Sequence, residues 1–186
     1  MALPVPHHRF TVVEYHRMVE AGILKREDRV ELINGEIIEM SAINARHAAA
    51  VKRLGRFFNR RVGESAIVGV QDPIELDDFS EPEPDVSLLK PRDDFYAQAH
   101  PKPQDALLVV EVAESSGVRD RLVKMPAYAN ALIFELWIVD LQADIIEVYT
   151  QPANGSYQSI RKVQRGETLS PQALPNVVLK AEEILG

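Results

Sequence analysis

The chain has 186 residues, 46% apolar and 26% charged, with a net charge of −7 and no cysteine. That length and balance suit one globular domain, residues 1–186, with its own core, and exclude a disordered chain. The lack of cysteine excludes disulfides and thiolate metal sites and fits a reducing compartment, while the acidic balance argues against a general nucleic-acid coat but leaves room for nucleic acid as a substrate.

The start, MALPVPHHRF, has neither an apolar signal core nor an Arg- and Ser-rich transit pattern. No run of about 18 apolar residues follows, so no membrane segment is expected and a cytoplasmic location is. In TVVEYHRMVEAG, Thr11 and Glu14 have capping-box spacing, and Tyr15, Met18 and Val19 form a helical stripe over 11–21. RVELINGEIIEM places Asn34-Gly35 between two apolar runs, a strong hairpin signal over 29–40. A long helix follows over 44–62, its stripe being Ala48, Val51, Leu54, Phe57 and Phe58. AIVGV (66–70) and PIEL (73–76) read as short strands, and 77–84 as an acidic loop with prolines.

DVSLL (85–89) reads as a strand, and residues 90–105 as a long irregular loop with one helical turn. ALLVVEVAE (106–114) is almost continuously apolar, the pattern of a central strand buried on both faces. A helix is expected over 118–131, then strands at 134–141, 144–150 and 157–163, the last two joined by Asn154-Gly155. The tail, 171–186, holds a short strand and a final helical turn. The fold class is therefore α/β: a mixed sheet flanked by helices.

Two carboxylates stand out against this pattern. Glu111 lies inside the most apolar strand, where a charge is costly unless compensated. It is a buried acid paired with an arginine, an acid at the strand end where the sheet opens, or a metal ligand projecting into a cleft. Asp85 opens the preceding strand, and two adjacent strands would bring both carboxylates together. Side by side they repel unless one takes up a proton or a cation joins them. Oxygen donors without cysteine or clustered histidine favour Mg²⁺ or Mn²⁺ over Zn²⁺. A phosphodiester hydrolase also needs a cationic side chain near the attacking water. Strand alternation aims residue 113 to the side of Glu111, but that residue is Ala113. The nearest substitute is Lys124 on the following helix, which otherwise forms an exposed pair with Asp120 four residues earlier.

Pro84-Asp85 followed by Glu111-Val112-Ala113 resembles the PD-(D/E)xK nuclease superfamily. With the lysine moved onto the next helix, the chain is similar to its Uma-two branch of restriction-endonuclease-like proteins. The matching stretches are TVVEYHRMVEAG, RVELINGEIIEM, QDPIELDDFSEPEPDVSLL, VVEVAESS with RDRLVKMPAYA, and ELWIVDL, which span nearly the whole chain. The resemblance implies a restriction-endonuclease-like fold and a Mg²⁺- or Mn²⁺-dependent DNA endonuclease. Asp85 and Glu111 would hold the metal and Lys124 would position the water. Glu31 and His47 match positions near the site, while Ser115 and Asp120 would lie around it. Glu31 also reads as a solvated hairpin acid, and His47 as a helix-face or capping residue. Where the family has Ala-Gly-Ile-Pro-Glu-Tyr-Trp, this chain has Ala131-Leu132-Ile133-Phe134-Glu135-Leu136-Trp137, without the Gly and Pro.

DNA contact requires basic residues. Lys52, Arg56 and Arg60 repeat every four positions in VKRLGRFFNRR, either as a phosphate-tracking stripe or as a solvated helix face. A twofold homodimer is the simplest way to cut both strands. The rival readings are a catalytically silent nuclease fold acting as a nucleic-acid-binding or interaction module, and a two-carboxylate glycosidase. The single Trp and short chain speak against the glycosidase.

Overall fold

Local chemistry opens the first helix. The Glu14 N–H donates to the Thr11 hydroxyl at 3.2 Å, and the Thr11 N–H donates to the Glu14 carboxylate at 2.8 Å. This capping box starts α1, Val12–Glu20, in the computed structural model, which describes residues 7–114 and 120–186. Val12 and Tyr15 pack with Leu32 in a small core, the one that the helix joins among the described residues. Val19, expected in the stripe, is therefore exposed.

Asn34 and Gly35 both take positive φ, 52° and 78°. They make the tight turn between β1, Val30–Ile33, and β2, Glu36–Glu39. This hairpin docks on the proline loop: the Glu81 N–H donates to Leu32 O at 2.7 Å and the Gly35 N–H to Phe79 O at 2.7 Å. The loop, acidic as its sequence shows, is buried along Ser80–Pro82. PIEL is not a strand. Its apolar Ile74 and Leu76 are buried, but their N–H groups donate to Pro82 O and Ser80 O in the loop instead of to a sheet.

Six strands form the main sheet: β3, Ile67–Gly69; β4, Val86–Leu89; β5, Ala106–Ala113; β6, Glu135–Asp140; β7, Ile145–Ala153; and β8, Ser156–Val163. They lie in chain order, antiparallel throughout except for the parallel pair β5–β6. A short pair, β9, Thr168–Leu169, and β10, Leu179–Lys180, lies outside it. Alternate residues of β5 enter two separate cores. Leu108, Val110 and Val112 pack with α2, Ala45–Arg61, and α4, Ala181–Leu185. Val109 and Ala113 pack under α3, Met125–Asn130. Of the expected helix over 118–131, residues 118–119 lie outside the described part, Asp120–Lys124 form one π-helical turn, and α3 continues from it.

α3 closes with a Schellman pair: Leu132 N–H to Ala129 O at 3.2 Å and Ile133 N–H to Tyr128 O at 3.0 Å. The motif needs a left-handed residue, and Leu132 supplies it at φ 60° where the resembled family has Gly. The turn forms here without a glycine. No helix among the described residues is long and apolar enough to cross a membrane.

Candidate active site

The antiparallel register of β4 on β5 pairs Val86 with Val110. One step further along both strands, Asp85 meets the level of Glu111, and residues directly opposite share a sheet face. Both acids are buried, at 8% and 4% exposure. Each is supported by donors. Asp85 Oδ2 accepts from the Val112 N–H at 2.8 Å and contacts His47 Nε2 at 3.0 Å, while Oδ1 accepts from Gln71 Nε2 at 3.3 Å. Glu111 Oε1 accepts from the Tyr128 hydroxyl at 2.7 Å.

Lys124 ends the π turn, and its side chain reaches back over the sheet. Its ammonium stands 3.0 Å from Glu31 Oε2 and 3.3 Å from Glu111 Oε1, and the residue is 7% exposed. Glu31 comes from β1, which the proline loop holds over the strand ends; its Oε2 also accepts from the Glu83 N–H at 3.2 Å. His47 sits in the first turn of α2, where the Asn44 side chain caps its N–H at 3.0 Å. That cap aims the imidazole at Asp85.

Glu31, His47, Gln71, Asp85, Glu111 and Lys124 line one cleft. Its carboxylates are Glu31, Glu39, Glu83, Asp85, Glu111 and Glu114, set against Arg29, Lys124 and His47. Burial, and then the neighbouring charge of Glu31, pushes the Glu83 carboxyl above its ordinary value; Lys124 partly opposes this. Burial, and then Glu111 and Glu31, holds the Tyr128 phenol well above its ordinary value, so it stays a donor. An acid-rich, oxygen-lined cleft of this kind suits a hard divalent cation.

The structure thus brings Asp85, Glu111, Lys124, Glu31 and His47 to one place. Glu31 is 4% exposed and is not a solvated hairpin acid. His47 faces the cleft and Lys124 is buried, so neither is a surface group. Ala113 is buried in the core under α3. Ser115 and the Asp120 side chain lie outside the described residues. Lys52, Arg56 and Arg60 are exposed, but they lie about 140–220° around α2 from His47, on the far side of the helix from the cleft.

Sequence reasoning missed Tyr128, Gln71 and Glu83. Tyr128 had a usable signal, since it lies one helical turn beyond Lys124 and shares its face. Gln71 had none. It takes φ 55° and donates its N–H to Asp85 O at 3.2 Å, so it depends on a backbone shape that appears only on folding.

A family model described as "Uma2: Putative restriction endonuclease" matches residues 12–182. Among solved structures, the fold is similar to that of a protein from Anabaena variabilis described as a putative nuclease belonging to DUF820. The TM-score is 0.71 and the identity 15%, over 95% of this chain and 97% of that one. No functionally curated protein matches the chain.

Proposed function

The chain belongs to the family of putative restriction endonucleases described as Uma2, and on that premise we propose that the cleft hydrolyses DNA phosphodiesters with a divalent cation, Mg²⁺ or Mn²⁺. The observation that carries this reading is the Lys124 ammonium, 3.0 Å from Glu31 and 3.3 Å from Glu111. A lysine from a helix thereby stands among the strand carboxylates, on the side of β5 where Ala113 carries no charge.

Asp85 and Glu111 would hold the cation, since both are oxygen donors on one sheet face and both are fixed by hydrogen bonds. When bound, it supplies Lewis-acid polarisation of a phosphoryl oxygen and of the attacking water. Lys124 positions that water and offsets negative charge as the attack proceeds. Glu31 keeps the ammonium from swinging into solvent. His47 and Gln71 set the orientation of Asp85, and Tyr128 sets that of Glu111. The five-coordinate phosphorus collapses with departure of the sugar oxygen, and no covalent enzyme intermediate is needed.

DNA enters from the open side of the cleft, where Arg29 lies in the wall together with Lys124. The stripe of Lys52, Arg56 and Arg60 reaches the substrate only if the duplex wraps round α2. Cutting both strands is simplest for a twofold dimer.

The test is nicking of supercoiled plasmid with Mg²⁺ or Mn²⁺ by the wild type, Glu111→Ala and Lys124→Ala. Metal-dependent nicking that disappears in both variants is expected. Nicking that continues unchanged in both refutes the assignment.

A further inference from the structure

A second group of metal-ligating side chains lies outside the cleft. His16 of α1, Glu81 of the proline loop and His100 of the long loop before β5 each offer a ligand atom, and these atoms lie within 4.8 Å of one another. None of the three lines the acid cleft. His16 Nε2 stands 2.7 Å from Glu81 Oε1. The His16 and His100 rings meet edge to face, with centroids 5.9 Å apart.

Glu81 is the informative member. It is 3% exposed, yet its Oε2 has no hydrogen-bond partner among the described residues. A buried carboxylate oxygen left without a donor is costly. Its backbone is pinned, because its N–H donates to Leu32 O at 2.7 Å. The other two segments are pinned as well. Tyr15 beside His16 donates its hydroxyl to Val30 O at 2.9 Å, and the Glu75 N–H donates to Pro101 O, beside His100, at 3.0 Å. Three stretches distant in sequence are thus held with two imidazoles and one carboxylate facing a common point.

We propose that His16, Glu81 and His100 form a site for a borderline cation of the Zn²⁺ class, separate from the hard-cation cleft. Two nitrogens and one carboxylate oxygen match that class, whereas Mg²⁺ prefers oxygen alone. Ligands about 2.1 Å from a shared tetrahedral ion stand about 3.4 Å apart. From the present spacing, the 2.7 Å His16–Glu81 contact would open to that separation while the exposed His100 ring draws in. Water completes the coordination. The ion would tether α1 and the loop before β5 to Glu81. Glu81 shares the segment Glu81–Asp85 with the first acid of the cleft, so occupancy would stiffen the approach to Asp85.

The experiment is calorimetric titration of the full chain with Zn²⁺, paired with thermal denaturation. The proteins are the wild type, His16→Gln, His100→Ala and the cleft double variant Asp85→Asn/Glu111→Gln. One high-affinity equivalent is expected in the wild type and in the cleft variant. His100→Ala and His16→Gln should each bind at least about 100-fold more weakly, beyond the 10–100-fold typical of losing a group that only supports a ligand. Zn²⁺ should raise the melting temperature of the wild type but not of either histidine variant. Both histidines are at least partly exposed, so the apo variants should melt near the wild type. Three results would overturn the proposal: undiminished binding by the histidine variants, loss of binding in the cleft variant, or no stoichiometric binding by the wild type.

Discussion

Replacing Lys124 with methionine removes one charge and keeps most of the stem, which makes it the sharpest test of the cleft. In the wild type the ammonium lies 3.0 Å from Glu31 and 3.3 Å from Glu111. At an effective dielectric of about 20, each contact is worth roughly 5 kcal/mol of attraction before desolvation. The two carboxylate oxygens it bridges are no more than about 6 Å apart, and without it they repel by roughly 2–3 kcal/mol. Desolvation offsets much of the attraction in the intact cluster, so the net loss should be that of breaking a buried pair, about 3–5 kcal/mol. For a chain of this size that lowers Tm by roughly 6–20 °C. Two further readings separate a charge effect from lost packing. Mg²⁺ or Mn²⁺ should recover more stability in Lys124→Met than in the wild type, because it replaces the missing positive charge. Adding Glu31→Gln to Lys124→Met should also recover stability, because it removes one of the two repelling acids. Urea unfolding at neutral pH, with and without metal, measures all of this. If Lys124→Met unfolds at the wild-type midpoint and Glu31→Gln changes nothing in its background, the electrostatic account of the cleft is wrong.

Tyr128→Phe removes the hydroxyl that donates to Glu111 at 2.7 Å while keeping the ring in its fully buried place. Nicking should fall about 10–100-fold, with a higher metal concentration needed for half-maximal rate; an unchanged metal requirement would deny Tyr128 its positioning role. Leu132→Gly relieves a left-handed residue at φ 60° whose side chain is 66% exposed. A gain of roughly 0.5–1 kcal/mol is expected in denaturant unfolding, the relief of strain exceeding the added freedom of the unfolded chain; a loss would mean the side chain packs more than its exposure implies. Glu135 is pushed above the ordinary 4.5 chiefly by burial, against the hydrogen bonds from Gln172 N–H and the Trp137 indole. The folded chain therefore keeps a proton that the unfolded chain has already released, and wild-type stability falls as pH rises from about 4.5 through the folded value. Relative to Glu135→Gln, the wild type should lose up to about 1.4 kcal/mol per pH unit in that window. The Gln variant carries its own constant penalty from one mismatched donor, so the slope between the two curves is the test; a wild type that gains on the variant with rising pH would reverse the assignment.

The elements whose sequence logic is local were legible in advance. The Thr11–Glu14 box, the Asn34-Gly35 and Asn154-Gly155 turns and the apolar runs of β5 and β6 depend on neighbours a few residues away, and each formed where its pattern lies. PIEL failed because alternation marks a buried extended segment but does not say whether its backbone will find a strand. Here the neighbouring chain is the proline loop, whose own curvature takes up the hydrogen bonds of Ile74 and Leu76. Val19 failed for a related reason. A helical stripe says which residues could be buried, while the partner surface decides how many turns of it are covered.

The cleft follows the same division. Asp85 and Glu111 were visible because each is a charge set in an apolar strand, an anomaly that a single sequence displays without help. Lys124 was reached by elimination, once Ala113 left the expected position without a charge. Tyr128 is signalled only through Lys124, four residues before it on the same helix face, and Gln71 announces nothing, because a glutamine in a loop is ordinary until the fold points it at a carboxylate. The same holds for His16, Glu81 and His100, which lie on three separate segments and fit no metal-binding spacing. What joins His16 to Glu81 is the docking of α1 and the β1–β2 hairpin on the proline loop, while His100 is held by the Glu75 N–H bond to Pro101 O; the hairpin docking also carries Glu31 to Lys124. The segment Glu81–Asp85 therefore works on two sides of the hairpin. Its first residue faces two histidines and its last faces the acid cleft, and the two prolines between them keep the chain extended so that both carboxylates hold their places. Shortening this segment by one residue should disturb both sites at once, whereas a substitution at either end should disturb only one.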